Sequence, residues 1–156
     1  MSNTIVTVTV DTQNITPSTI NENVVFTDNH GATQPTDDPE NFLSVVDPGT
    51  EIEWRGVPLI GTSEITMKVI NKVTGPDIME PGTMTFPGRD AKCDIASSYI
   101  HGIEKYYLKF EVGGVEYPVD PKLRMRRRQQ SVLSIKARQF VNLFKIIGEI
   151  LFKWTI

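Results

Sequence analysis

The amino-terminal part of the chain alternates β-branched residues with a period of two, and this pattern constrains the fold more than any other feature. Between Thr4 and Val10, threonine alternates with isoleucine or valine. One face of an extended strand is then apolar and the other polar, which a helix of the same sequence would not achieve. Residues 50–56 and 63–73 alternate in a similar way, with Ile52 and Trp54 on one face. These segments are predicted to be strands.

Residues 104–119 predict a β-hairpin. Tyr106, Leu108 and Phe110 alternate before Gly113-Gly114, and apolar residues alternate again up to Val119. Shorter strands are predicted at 21–26, 42–46 and 83–86, a polar loop at 27–41, and a turn at 47–49. About seven to nine short strands with closely spaced turns predict an all-β fold, an antiparallel β-sandwich.

The charge of the chain changes sign after residue 120. Residues 1–120 contain 7 Lys and Arg against 18 Asp and Glu, a formal charge of −11, whereas residues 121–156 contain 9 against 1, a charge of +8. We therefore predict an acidic β-sandwich domain at 1–120, a basic linker at 121–130 and an amphipathic helix at 131–156. A chain ending at Asp120 is expected to fold without the tail. Such a charge asymmetry is typical of a basic tail that binds an acidic partner.

Residues 131–156 place polar and apolar residues on opposite sides of a helix. At about 100° per residue, the polar stripe runs from Ser131 through Arg138 and Lys145 to Lys153. The opposite face is broad and apolar, as in helices that lie in a membrane interface or pack on a partner. The residues predicted to bind a membrane or a partner are Phe140, Leu143, Phe144, Ile147, Ile150, Leu151 and Trp154.

The basic run before the predicted helix adds two expectations. Each cation beside an amphipathic helix contributes about 1 kcal/mol of attraction to an anionic surface. An exposed basic linker is also a substrate for a trypsin-like protease. Both roles are assigned to Arg124, Arg126, Arg127 and Arg128.

Four placements of the tail remain open: on its own sandwich, in a seam between subunits, in the membrane interface or across the membrane. Charges throughout the segment argue against a transmembrane helix.

The first functional hypothesis is a non-enzymatic protein that binds or permeabilises anionic membranes, after proteolysis or assembly releases the tail. The alternative is a structural subunit of a homo-oligomer or filament, with the tail as its docking element. Nucleic acid is not an expected partner, because the acidic body would repel that polymer.

No arrangement of residues predicts catalysis or a cofactor. Cys93 and His101 are the only Cys–His candidates, and no signature sequence surrounds them. A blue-copper site needs two histidines near a cysteine, but His30 lies in a polar loop. The Walker, GxGxxG, HExxH and CxxC patterns do not occur. We expect no catalytic residues, no metal and no cofactor, and we expect Cys93 and His101 to be dispensable.

The first residues lack the basic and apolar regions of a secretory signal, and one cysteine cannot form an intramolecular disulfide. These features favour a cytoplasmic location, with the tail at most peripheral to the inner membrane face.

Several stretches resemble known bacterial sandwich domains. "VDPGTEIEWRG" and the closing "YYLKFEVGGVEYPVDPKL" resemble bacterial immunoglobulin-like or cupredoxin-like domains. "VTVTVDTQNI" together with "TEIEWRG" is similar to inclusion-body proteins of the AidA and PixA type. The resemblance covers roughly the first 120 residues. It implies a sandwich fold and a non-enzymatic role, without assigning any site residue.

Overall fold

The computed structural model describes residues 2–127, and this part of the chain contains nine β-strands. A one-turn helix, α1 (Ile20–Asn23), and a 3-10 turn at Pro39–Asn41 are the only helical elements among these residues. The all-β class is therefore confirmed, whereas the helix predicted at 131–156 lies outside the described residues. The strands are β1 (Thr4–Asp11), β2 (Val24–Asp28), β3 (Leu43–Val46), β4 (Glu51–Ile60), β5 (Ile65–Thr74), β6 (Ala91–Asp94), β7 (Ile103–Val112), β8 (Val115–Val119) and β9 (Lys122–Met125).

The strands form two sheets that enclose one hydrophobic core. The first sheet has the order β2-β1-β4-β6, and the second has the order β3-β9-β7-β5, with β8 also paired to β7. The expectation of purely antiparallel sheets was wrong, because β1 pairs with β4 and β3 pairs with β9 in parallel. Parallel neighbours need a long crossover connection. Here the intervening strands provide those connections.

The predicted hairpin is present as β7 and β8. Gly113 and Gly114 both have positive φ, 57° and 85°, which the favoured two-residue hairpin turn requires and glycine adopts without strain. The antiparallel register continues without a shift from the Val112–Val115 pair to the Ile103–Arg124 pair. Strands β8 and β9 therefore form one continuous partner of β7.

Strand β9 moves the end of the sandwich beyond the predicted boundary at residue 120. It lies between β3 and β7, and its Leu123 and Met125 side chains are buried, with 0% and 2% exposure. The backbone N–H of Arg126 also donates to the carbonyl of Val46 at 2.7 Å. Residues 122–125 are thus part of a sheet and do not form a linker. The prediction missed them because the alternation of Lys122, Leu123, Arg124 and Met125 is hidden within a basic run.

Two shorter predictions also differ from the structure. Residues 83–86 contribute only an isolated bridge, Thr85 with Lys92, and the strand in this region is β6. The first part of the strand predicted at 21–26 is α1. In the first case Pro81-Gly82 and Pro87-Gly88 bend the chain on both sides of the segment, which leaves it too short for a ladder.

A polar pair connects the two sheets at the centre of the core. Trp54 on β4 donates its indole N–H to the hydroxyl of Tyr106 on β7 at 3.0 Å. The two rings meet edge to face with centroids 5.7 Å apart, and both side chains are fully buried. Burial raises the pKa of Tyr106, so the phenol stays protonated and accepts the indole hydrogen with an oxygen lone pair. Trp54 is therefore a core residue.

Candidate functional site

A cavity of about 290 Å³ lies between β5, β7 and the segment that leads into β6. Its lining is mixed in character and contains apolar side chains, one buried carboxyl group and several exposed ionisable side chains. The lining residues that matter for its chemistry are Ile70, Lys72, Asp77, Met79, Met84 and Glu104.

Glu104 is a fully buried carboxyl group at the start of β7. Its Oε2 accepts hydrogen bonds from the backbone N–H groups of Ile78 at 2.6 Å and Met79 at 2.9 Å. Its Oε1 has no hydrogen-bond partner within residues 2–127. Desolvation raises the pKa of Glu104, and the two backbone N–H groups oppose this shift by stabilising the carboxylate.

The alternation that predicted the hairpin also places Glu104 in the core. The inward positions of β7 continue from Leu108 through Tyr106 to Glu104, two residues apart each time. The predicted inward positions began at Tyr106, so the carboxylate two residues earlier was not predicted. A charged residue on the apolar face of a strand was the signal that pointed to it.

The rim of the cavity carries an excess of negative charge. The Lys72 ammonium lies 2.6 Å from Asp77 Oδ1, and Glu80 also lines the cavity. With Glu104, the described part of the lining therefore contains three carboxyl groups and one ammonium group. A cavity with low-dielectric walls and this balance attracts positively charged molecules.

Among residues 2–127, the predicted candidates Cys93 and His101 are not brought together as a pair. Cys93 also lines the cavity, but this side chain is buried, and burial raises the pKa of its thiol, so the reactive thiolate is disfavoured. Its sulfur lies 3.3 Å from the Thr83 hydroxyl. His101 is exposed in the loop before β7, and within the described chain no histidine is hydrogen-bonded to Cys93. The raised pKa therefore argues against Cys93 as an activated nucleophile.

We expect Glu104→Gln to change how the stability of the protein depends on pH. Because burial raises the folded-state pKa of Glu104 above its ordinary value of 4.5, the protonated form favours folding. That contribution is complete below pH 4.5 and is lost as the pH rises through the folded-state pKa. The free energy of unfolding of the wild type should therefore fall relative to Glu104→Gln across this interval. Urea unfolding between pH 4 and 8 measures the difference, and a wild type that gains stability relative to Glu104→Gln as the pH rises would contradict the assignment.

The predicted basic residues occupy different environments. Arg124 lies in β9, whose backbone pairs with β3 and β7, so a protease cannot bind it as a free extended strand. Arg126 Nε is 3.4 Å from Asp47 Oδ1, and Arg127 is exposed. Within the described residues, the predicted cleavage region is thus narrowed to Arg126 and Arg127. Arg128 and the seven predicted binding residues from Phe140 to Trp154 lie outside the described residues.

The described residues contain no helix that is both long and apolar enough to cross a membrane.

Comparison with solved structures identifies a protein with a similar fold. No family model matches the chain, and no curated protein matches it. Among solved structures, it is similar to the inclusion body protein PixA from Burkholderia cenocepacia, with a TM-score of 0.58 and 11% sequence identity. The match covers 80% of this chain and 96% of the PixA chain. The resemblance of the sequence to PixA-type inclusion-body proteins is therefore confirmed, and the two proteins share a β-rich fold.

Proposed function

We propose that this protein is a non-enzymatic structural subunit that assembles with copies of itself through its β-sandwich. The observation that carries the proposal is the similarity of fold to a protein described as an inclusion body protein, over 96% of that protein's chain. An inclusion body is a dense assembly, and a subunit of such an assembly needs surfaces that can contact other copies.

The outer face of the first sheet offers such a surface. Val25, Thr9 and Val57 are direct neighbours across β2, β1 and β4. Val25 is 40% exposed and Val57 is 43% exposed, and Leu59, two residues further along β4, is 65% exposed. We call these four residues the outer patch. Their side chains are apolar or carry a hydroxyl, so a second copy can cover them without burying a charge.

The charge of the sandwich explains why contact at an uncharged patch is favoured. All seven Lys and Arg residues of segment 1–120 lie within 4 Å of a carboxylate oxygen. Through the end of β9 at Met125, the sandwich has 9 Lys and Arg against 18 Asp and Glu, which leaves it at −9. Like-charged copies repel each other, and salt screens this repulsion. Assembly through the outer patch should therefore strengthen as the salt concentration rises.

Val57→Lys in the full chain tests this surface, with Val73→Lys as the matched control. Val57 and Val73 are both exposed valines near the ends of long strands, but Val73 lies in the other sheet. The variant would remove an apolar side chain from the proposed contact and place an ammonium group there, which should weaken self-association by at least about tenfold. Sedimentation velocity over a range of protein concentrations measures the effect. Equal assembly of Val57→Lys and wild type would exclude the outer patch, and a wild type that stays monomeric at every concentration would exclude self-assembly.

We propose membrane binding by the tail as a second function, supported by the charge of +8 and the helical spacing of apolar residues after residue 120. Both functions are compatible with a cytoplasmic location, which the single cysteine supports.

Co-sedimentation of the full chain with anionic vesicles tests this second function. Phe144→Glu should abolish binding because it places a charge on the predicted apolar face, whereas Asn142→Glu in the polar stripe should weaken it only modestly. If Phe144→Glu changes only the assembly state and no chain binds vesicles, the tail serves self-assembly.

A further inference from the structure

We propose that the Glu104 cavity binds a small organic cation, a primary alkylammonium ion with a short apolar chain. The proposal stands on the buried, incompletely paired carboxylate, the excess of acidic groups at the rim and the apolar side walls of one cavity. It concerns a different part of the molecule from the outer patch and does not depend on self-assembly.

Glu104 gives the cavity lining a buried carboxyl group that is held in one position. The hydrogen bonds from Ile78 and Met79 hold Oε2 and so fix the side chain, while Oε1 accepts none from residues 2–127. A buried carboxylate with unused lone pairs is costly unless a donor or a positive charge compensates it. A primary ammonium group supplies both, since it carries three donors and a full charge.

The other lining residues determine the size and polarity of the organic group that the ammonium ion can carry. Ile70, Met79 and Met84 form an apolar lining, and methionine adapts its shape to irregular ligands. A volume of about 290 Å³ lies at the lower end of the range for small-molecule sites, which suits a chain of a few carbons. The acidic rim formed by Asp77 and Glu80 disfavours phosphates and carboxylates of the same size.

Titration of the full chain with n-butylammonium tests the proposal, with n-butanol as the uncharged probe of equal length. In a protein labelled with ¹³C at the methionine methyl groups, the signals of Met79 and Met84 should shift and saturate. The signal of Met67, which lies outside the cavity lining, should stay in place. Butylammonium should bind at least about tenfold more tightly than butanol, because the charge-assisted hydrogen bond is lost with the alcohol.

Glu104→Gln should reduce the affinity for butylammonium at least about tenfold while keeping the shape of the side chain. Glu111→Gln is the matched control, since Glu111 lies on the same strand in an outward position and pairs with Lys68. Met84→Trp, which narrows the cavity but keeps Glu104, provides a second test if Glu104→Gln does not fold. Unchanged affinity in either cavity variant, equal binding of butanol, or no shift at Met79 and Met84 would overturn the proposal.

Discussion

A chain that ends at Asp120 should fail to form the native sandwich, whereas a chain that ends at Arg127 should unfold cooperatively. The difference is β9, which supplies Leu123 and Met125 to the core and separates β3 from β7. Loss of a buried Leu or Met side chain typically costs about 2–5 kcal/mol. Two such losses are comparable with the total stability of a domain, about 5–15 kcal/mol. This result would reverse the expectation from sequence that residues 1–120 fold alone.

Trp54 reports on the outcome in both shortened chains. Of the two tryptophans, Trp154 is absent from each of them, so fluorescence comes from a residue that is fully buried in the native core. The chain ending at Arg127 should show blue-shifted emission and one urea transition. Red-shifted emission and no transition are expected for the chain ending at Asp120. Leu123→Ala in the longer chain should lie between them, and a stable, cooperatively folded chain ending at Asp120 would contradict the role of β9.

Trp54→Ala should be the most destabilising single substitution considered for this protein, at about 3–5 kcal/mol, because it empties the centre of the core and removes the partner of Tyr106. Tyr106→Phe should cost about 1–3 kcal/mol, because the buried indole N–H would lose its acceptor. Tyr107→Phe is the control on the opposite face of the same strand. Urea unfolding of the full chain would measure the effect of each of the three substitutions.

A double-mutant cycle separates the hydrogen bond from the packing of the two rings. With Trp54→Phe as the background, Tyr106→Phe should cost less than it does in the wild type, because no indole N–H then remains to be satisfied. Equal costs in both backgrounds would show that the Trp54–Tyr106 hydrogen bond does not contribute to stability.

Local sequence determined the strands and turns that need only neighbouring residues. The alternation of Thr4 to Val10 specifies β1 because a strand exposes and buries successive side chains. Gly113 and Gly114 specify the hairpin because both positions need positive φ. The same alternation, followed two residues further toward the amino terminus of β7, would have placed Glu104 in the core.

Tertiary structure decided the features that depend on partners distant in sequence. The pairing of β3 with β9 unites segments near residues 43 and 122, and no local pattern indicates which strands become neighbours. The short run from Lys122 to Met125 becomes a strand because its two apolar residues can be buried between β3 and β7. The cavity likewise exists only where β5, β7 and the segment before β6 meet around Glu104. Periodicity reports which face of a segment is buried, but the position of that segment follows from the packing of the whole chain.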